Sequence, residues 1–244
     1  RGNRGRLAGA RYFKKGYHRG RAGCIKKRAV RVINQPRHKC RLSAVSKVMN
    51  ILLEKKLKQT QAASRVLAET SHAQRSRFLR ALAAALVKHA KEIISANEKD
   101  LKKFGHNAMA DRLRFDARRI KSAAQSLRVV AGLSDPLDII LEKRRLANGL
   151  RLVKKSVPLG VVAVIYEARP NVTIDVVGLG IKSGNAVILK GGRASLATNI
   201  YLVSLIKRVL KACGLPEQAV FYLDAKNRSA AAALLRADKY IDVI

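Results

Sequence analysis

The sequence predicts an α/β protein with a helical N-terminal segment, a β-hairpin and a parallel, doubly wound sheet. Three observations support this fold class. Residues 49–138 contain stretches in which apolar side chains recur at helical spacing. Asn148-Gly149 separates two runs typical of β-strands, and from Val161 onward short apolar runs alternate with helical patterns. This alternation indicates parallel strands that are joined by right-handed crossovers.

Three helices are predicted before the hairpin. Ile51–Glu69 contains neither Pro nor Gly, which favours a helix. Ser71 and Gln74 form a capping-box pair, and apolar residues then recur every three or four positions as far as Ile93. Asp116–Ala131 has its apolar residues on one side of a third helix.

Asn148-Gly149 predicts a β-hairpin, because this dipeptide readily supplies the two positive φ angles of a tight turn. The flanking strands, Ile139–Leu146 and Leu150–Val157, carry many Lys and Arg side chains. They are too polar for a central sheet, so we expect the hairpin to project from the body. A projecting hairpin has open edges, and this predicts a homo-oligomer in which a partner covers them.

The region after the hairpin predicts a sheet of four parallel strands with three intervening helices. The strands are Val161–Glu167, Ala186–Lys190, Ala219–Asp224 and Tyr240–Ile244. The helices are Thr173–Lys182, Ser195–Ala212 and Ser229–Arg236. Sheets of this type bind ligands at the carboxyl ends of their strands, and a dinucleotide is the natural candidate.

The composition excludes several classes of protein. The 244 residues are 48% hydrophobic and 27% charged, which suits a globular core. No uncharged run reaches the roughly 18 apolar residues that a membrane span needs. The three cysteines, Cys24, Cys40 and Cys213, are too few for a disulfide framework or a four-ligand metal site, so we expect a cytoplasmic protein without a metal.

The net charge of +35 is concentrated at the N-terminus. Arg1–Val48 contains 16 Lys and Arg and no acidic residue, since Glu54 is the first acid in the chain. The segment lacks the periodicity of a helix or strand, so we expect little independent structure. Three interpretations compete: a nucleic-acid-binding arm, an Arg-rich transit peptide, and a non-native extension before Met49. Nucleic acid would bind only through this segment.

Three glycines invite comparison with a dinucleotide-binding motif, but they do not match it. Gly178, Gly180 and Gly184 have the spacing G-x-G-x-x-x-G and fall within or after a helix. The motif requires G-x-G-x-x-G in the turn after the first strand. These glycines therefore predict close packing of a helix against its neighbours.

Polar residues end two of the predicted strands. Lys190-Gly191-Gly192 places a lysine where it could hold the ribose or 2′-phosphate of a cofactor, although a lysine that is only exposed at a strand end would look the same. In the segment Glu167–Asn171, Arg169 could bind a carboxylate or phosphate and Asn171 could donate to a developing oxyanion. A turn stabilised by Pro and Asn is the alternative.

At these residues a family resemblance is visible. The run VPLGVVAVIYEARPNVTIDVVGLGIKSGNAVILKGG, Val157–Gly192, resembles the gamma-glutamyl phosphate reductases of the aldehyde dehydrogenase superfamily. The resemblance extends over Met49–Ile244, including Asp111-Arg112-Leu113 and Gly214-Leu215-Pro216. Arg1–Val48 resembles nothing in that family.

The resemblance implies an aldehyde-dehydrogenase-like fold and the NADPH-dependent reduction of L-glutamyl 5-phosphate to L-glutamate 5-semialdehyde, with release of phosphate, in proline biosynthesis. In this reaction a cysteine thiolate attacks the acyl phosphate, phosphate leaves, and hydride transfer to the thioester gives the aldehyde. Carried over by position, Asn171 would stabilise the oxyanion. Arg169 and Glu167 would bind substrate, and NADP would contact Lys190, Gly191, Gly192 and Pro170.

The resemblance also divides the chain. Residues 49–138 would form the helical part of the cofactor-binding domain, 139–158 an oligomerisation hairpin and 159–244 the Rossmann-like part, with 1–48 as the basic extension. The family's nucleophilic cysteine would lie beyond Ile244, and none of the three cysteines matches it. We therefore expect a truncated sheet, a missing catalytic domain and no turnover by residues 49–244 alone.

Two other functions are compatible with the sequence. One is a nucleic-acid-binding protein whose working part is Arg1–Val48. The other is a non-catalytic protein that assembles through the hairpin.

Overall fold

The computed structural model describes residues 44–104, 109–224 and 228–244. The predictions for residues 1–43, including Cys24 and Cys40, lie outside the described residues. One apolar core runs through the described part and contains side chains from the N-terminal helices, the sheet and its covering helices. The predicted α/β class with a parallel sheet is confirmed.

In the described part of the chain, five helices precede the hairpin. They are α1 (Ala44–Ala68), α2 (His72–Lys88), α3 (Ala90–Phe104), α4 (Met109–Leu113) and α5 (Ala117–Gly132). Ser71 forms the predicted capping box, in which its hydroxyl accepts from the Gln74 backbone N–H at 3.3 Å. Asp116 caps α5 by accepting from the Arg119 backbone N–H at 2.9 Å.

Several helix boundaries differ from the prediction: α3 continues beyond Ile93 to Phe104, and α4 was not among the predicted helices. Helix α1 begins at Ala44 and not at Ile51, so it includes the last residues of the basic segment. The second predicted helix is interrupted at His89, which ends α2 with φ −99° and ψ 23°. The His89 backbone N–H still donates to Ala85 and its carbonyl accepts from Ile93, so the ladder of hydrogen bonds passes through a single non-helical residue. Apolar spacing alone could not reveal such a short interruption.

The hairpin consists of β1 (Ile140–Arg145) and β2 (Arg151–Lys155), which pair antiparallel. Its turn differs from the predicted two-residue form, because Gly149 has φ +88° and Asn148 does not have a positive φ. The Leu146 N–H donates to Leu150 at 2.8 Å and the Gly149 N–H donates to Leu146 at 2.9 Å. This is a three-residue connection that ends in a left-handed glycine.

The second sheet has three parallel strands in the order β3 (Val161–Ile165), β4 (Ala186–Lys190) and β5 (Val220–Tyr222). Two helices make its crossovers, α6 (Pro170–Lys182) and α7 (Leu196–Ala212). A last helix, α8 (Arg228–Leu234), follows β5, while α1 packs against all three strands. In this register Ile165 lies opposite Lys190, so the ends of β3 and β4 coincide.

The fourth predicted strand is reduced to one parallel bridge between Val162 and Val243. The Asp242 carboxylate accepts from the Val161 N–H at 2.9 Å, at the point where a longer ladder would need that donor. The bridge lies on the side of β3 away from β4. The chain therefore adds β4 and β5 on one side of β3 and then returns to the other side of β3, as in a doubly wound sheet. Ligand sites are expected at the point where the strand order reverses in this way.

The glycines of α6 are explained by packing, as predicted. A Cβ atom at Gly180 would lie 2.3 Å from Val187 Cγ2 in β4, and one at Gly178 would lie 2.6 Å from Leu127 Cδ2 in α5. Gly184 has φ +71° after the end of the helix. These positions let α6 approach both the sheet and α5 closely.

None of the helices in the described ranges combines the length and the apolar character that crossing a bilayer would require.

Candidate functional site

The ends of β3 and β4 place the two predicted site segments side by side. The Tyr166 backbone N–H donates to the Lys190 carbonyl at 3.1 Å, and the Gly192 N–H donates to the Glu167 carbonyl at 3.4 Å. Parallel pairing brings these carboxyl ends to one edge of the sheet. The segment 166–171 therefore leaves the sheet next to Lys190-Gly191-Gly192.

Helix α6 begins at this edge and orients the polar residues that end β3. Arg169 is its N-cap in an extended conformation, and the side chain does not cap the helix. Pro170 takes the first helical position, where its missing N–H is not needed, and it is buried. Asn171 follows in the first turn with an exposed side chain.

A cavity of about 350 Å³ lies between α4, α5 and α6, next to the carboxyl end of β3. A cavity of this size accommodates a small metabolite. It is lined by Asp111, Arg112, Arg119, Ser122, Ala123, Ser126, Arg169, Asn171 and Asp175. Two residues predicted from sequence, Arg169 and Asn171, therefore share a charged cavity with residues from two earlier helices.

The three arginines of the cavity differ in their partners. The Arg119 guanidinium is held on several sides, because it pairs with the Asp111 carboxylate at 2.7 Å and also donates to the carbonyls of Asp111 and Arg114. Arg112 lies 3.9 Å from the Glu167 carboxylate, which is 89% exposed. In the described part of the chain, no acidic side chain forms an ion pair with Arg169. Arg112 and Arg169 are thus the arginines that could bind an anion.

Asp175 lies one turn after Asn171 in α6. The Asn171 Nδ2 atom donates to its Oδ2 atom at 3.5 Å. Partial burial raises the pKa of the Asp175 carboxyl, and the hydrogen bond from Asn171 acts in the opposite direction. The carboxylate and the amide therefore form one polar wall of the cavity.

A buried chain of hydrogen bonds fixes the start of α6. The Tyr166 hydroxyl lies 2.5 Å from Thr173 Oγ1, which donates to Asn199 Oδ1 at 2.8 Å. The Asn199 amide donates to Ser195 Oγ at 3.0 Å. Burial raises the pKa of Tyr166 well above its usual value, so this hydroxyl stays protonated as a donor. The network joins β3, α6 and α7 and thereby positions Asn171.

Lys190, Gly191 and Gly192 do not line this cavity. Lys190 is partly buried at the end of β4, and among the described residues its ammonium has one hydrogen-bond contact, 3.4 Å from the neighbouring Gly191 carbonyl. A Cβ atom at Gly191 would lie 2.6 Å from Asn199 Nδ2, so this glycine is required by the buried network. At Gly192 it would lie 3.2 Å from the Glu167 backbone. The lysine is thus available to a ligand, while the glycines keep the two strand ends close.

Sequence reasoning missed several residues of the cavity, mainly Arg119, Ser122, Ser126 and Asp175. The first three recur at intervals of three and four along the polar side of α5, and Asp175 is four positions after Asn171. These are helical spacings, so each set shares a helix face. The spacing was therefore visible, but the packing of α5 on α6 was not.

The described residues contain neither a nucleophilic cysteine in this cavity nor a group of three His, Cys, Asp or Glu side chains that could hold a metal ion. Cys213 is buried at the end of α7, and its carbonyl accepts from Arg77 Nη2 at 2.8 Å. Its side chain therefore packs in the core.

Comparison with known proteins identifies close relatives of the chain. A gamma-glutamyl phosphate reductase of Clavibacter michiganensis subsp. michiganensis is 46% identical over 197 residues, which cover 79% of this chain and 45% of the relative. The chain therefore spans about half the length of the relatives that it matches.

Two solved structures of gamma-glutamyl phosphate reductases are similar to the described fold. The Thermotoga maritima structure has a TM-score of 0.75 and 32% identity, covering 78% of this chain and 47% of that one. The Saccharomyces cerevisiae structure has a TM-score of 0.71 and 32% identity, covering 78% and 49%. The predicted aldehyde-dehydrogenase-like fold is confirmed by this similarity.

The aldehyde dehydrogenase family profile matches residues 25–244. The match starts inside the basic segment, so the expectation that Arg1–Val48 resembles nothing in the family is wrong for residues 25–48. Because the matched range includes most of the sequence, the chain belongs to the aldehyde dehydrogenase family.

Proposed function

We propose that the protein to which this chain belongs reduces L-glutamyl 5-phosphate to L-glutamate 5-semialdehyde and releases phosphate. One observation carries the proposal: the cavity beside β3 combines the Asn171 amide with two arginines, Arg112 and Arg169, that are available to an anion. An acyl phosphate needs both kinds of group, because it has a carbonyl oxygen that gains charge and a phosphate that leaves. The names of the relatives support this substrate.

In this proposal each side chain has one task. The Asn171 amide donates a hydrogen bond to the acyl oxygen as that oxygen becomes negative. Arg169 and Arg112 hold the phosphate, since a guanidinium can bind two of its oxygens at once. Glu167, which lies near Arg112, orients that guanidinium at the mouth of the cavity.

Membership of the family implies a nicotinamide cofactor, and we propose that it is NADP. Lys190 would hold the 2′-phosphate, because its ammonium is at a strand end and makes a weak 3.4 Å contact with the Gly191 carbonyl. Gly192 and Pro170 would leave room for the cofactor beside it, with Gly191 keeping the strand ends together. When bound, the cofactor supplies the hydride that reduces the acyl carbon.

The same proposal covers the division of the chain and its location. Residues 49–138 and 159–244 would form the cofactor-binding domain, and 139–158 an assembly hairpin. The low number of cysteines supports a cytoplasmic protein.

The reaction is tested by extending this chain at its C-terminus with the remaining half of the Clavibacter michiganensis reductase. We expect the folded chimera to reduce NADP in the presence of glutamate 5-semialdehyde and phosphate, with NADP preferred to NAD by about tenfold or more. Lys190→Met should reduce that preference to about threefold or less, because one charge-assisted contact is lost. The measurement is kcat/KM for each cofactor.

Lys154→Met is the matched control, since Lys154 is an exposed residue of the hairpin and should leave the cofactor preference unchanged. A chimera with native-like circular dichroism but no phosphate-dependent turnover would contradict the proposed reaction. An unchanged preference in Lys190→Met would contradict only the assignment of the 2′-phosphate.

We also propose a homo-oligomer that is assembled through the hairpin. Every residue of β1 and β2 is exposed, including the apolar residues Ile140, Leu141, Leu152 and Val153, and the two strands pair only with each other in the described structure. Open strand edges favour pairing with another chain.

Sedimentation velocity tests this assembly. The intact chain is expected to sediment as a defined oligomer. A variant in which Gly-Gly-Ser replaces residues 140–155 is expected to sediment as a monomer. An oligomer of unchanged size in the shortened variant would show that another surface holds the copies together.

A further inference from the structure

The cavity contains a carboxylate that the proposed reaction does not use. Asp175 is partly buried and lines the cavity, and its carboxylate accepts a hydrogen bond from the Asn171 amide at 3.5 Å. Within the described ranges, no basic side chain forms an ion pair with it, although three arginines line the same space. A desolvated carboxylate is unfavourable without a cation nearby. A positively charged group of a ligand would therefore stabilise the carboxylate at this position.

None of the three arginines forms an ion pair with Asp175 within the described ranges, and two of them have other partners. Arg119 is held by Asp111 and by two backbone carbonyls, and Arg112 is directed to Glu167 at the mouth. The cavity thus has a carboxylate on the α6 wall and available guanidinium groups elsewhere in its lining. This arrangement suits a ligand that has one ammonium group and more than one anionic group.

We propose that Asp175 binds the α-ammonium group of the amino-acid substrate and makes the site selective for an amino acid over the corresponding compound without an amino group. The inference rests on the proposed function and adds a residue that determines specificity. In L-glutamyl 5-phosphate, four bonds separate the ammonium nitrogen from the acyl carbon, a span of roughly 5 Å when extended. The Asn171 Nδ2 and Asp175 Oδ2 atoms lie 3.5 Å apart, and a hydrogen bond of about 2.9 Å from each lets them contact two groups that are roughly 5 Å apart.

This match places the substrate along the first two turns of α6. The acyl oxygen meets the Asn171 amide while the ammonium group meets the Asp175 carboxylate. The existing hydrogen bond between the two side chains keeps both turned toward the cavity. The bound ammonium group would oppose the effect of burial on the pKa of Asp175, because an adjacent positive charge favours the ionised carboxyl.

The test is calorimetric titration of the intact chain with two ligands that differ only in the amino group, L-glutamate 5-methyl ester and monomethyl glutarate. We expect the chain to bind the amino-acid ester about tenfold more tightly, as one charge-assisted contact would give. In Asp175→Asn, which keeps the shape of the side chain, the two ligands should bind equally. The affinity for monomethyl glutarate should stay within about twofold of the original.

The control is Asp138→Asn, which removes the same charge from an exposed position next to the hairpin and should preserve the preference. Equal binding of the two ligands by the unmodified chain would overturn the proposal without any variant. Equal weakening of both ligands in Asp175→Asn would also overturn it, since Asp175 would then only orient Asn171. Undetectable binding of the amino-acid ester would overturn it as well.

These outcomes are distinct from failure of the proposed function. If the chimera with the Clavibacter michiganensis half shows phosphate-dependent turnover while the two esters bind equally, only the role of Asp175 fails. If that chimera is folded and inactive, the reaction itself is wrong, whatever the esters do.

Discussion

Replacement of Asp135 by alanine is expected to lower the free energy of unfolding by about 3 kcal/mol. Asp135 is the partner of Arg75, whose side chain is only 2% exposed and whose Nη2 atom donates to both carboxylate oxygens at 2.8 and 2.7 Å. Without the carboxylate, a buried guanidinium loses its counter-charge. Urea denaturation of the purified variant measures the change. The dependence of the free energy of unfolding on urea concentration is compared with that of the unmodified chain.

A double variant separates the lost charge pair from simple loss of packing. Arg75→Met combined with Asp135→Ala removes the buried charge together with its partner, and replacement of both members of a buried pair by uncharged groups is often tolerated. The double variant should therefore be more stable than Asp135→Ala alone. If it is equally or less stable, the unpaired charge is not the cause of the instability.

Asp100→Ala is expected to lower the free energy of unfolding by a similar amount, about 3 kcal/mol. Asp100 is 5% exposed, and its carboxylate accepts three hydrogen bonds at the start of α7. The donors are the Ala197 N–H at 3.1 Å, the Thr198 N–H at 2.8 Å and the Thr198 hydroxyl at 2.6 Å. Alanine would leave these donors without their acceptor in the core, and each unsatisfied donor lowers the free energy of unfolding. Thermal and urea unfolding both report this change.

The control for Asp100 is Asp116→Ala. Asp116 also accepts from a backbone N–H at the start of a helix, but that helix end is accessible to water and one hydrogen bond is involved. The free energy of unfolding should therefore fall clearly less in Asp116→Ala than in Asp100→Ala. Equal losses in the two variants would mean that burial of the donors adds nothing at Asp100.

Local sequence patterns predicted most elements of the fold. The strand Ala186–Lys190 has the predicted bounds, and the Ser71 capping box is present as expected. One of the errors lies where a contact distant in sequence competes with local preference. Tyr240–Ile244 has the composition of a strand, but it forms one bridge with β3, beside which the Asp242 carboxylate accepts from the Val161 N–H.

The candidate site was predictable only in part, because some of its residues are neighbours in sequence and others are distant in sequence. Asn171 and Arg169 follow a strand directly, and polar groups at that position mark ligand sites in parallel sheets. Apart from Asp175, which lies in α6, the other cavity residues come from helices that precede β3 by tens of residues. A helical spacing shows which of these side chains share a face, but it does not show which element that face will meet.

The sequence alone therefore determined the class of fold, the order of its elements and the two residues that lead from β3 into α6. Those properties depend on hydrophobic period and on turn chemistry, which act within a few residues. Tertiary structure decided which charges are paired and which are open to a ligand: Arg119 is bound by Asp111, whereas Asp175 is in ion-pair contact with none of the basic side chains in the described ranges. The reason is physical, since such pairing depends on the close packing of α4, α5 and α6, and distances across helices are fixed only when the chain has folded.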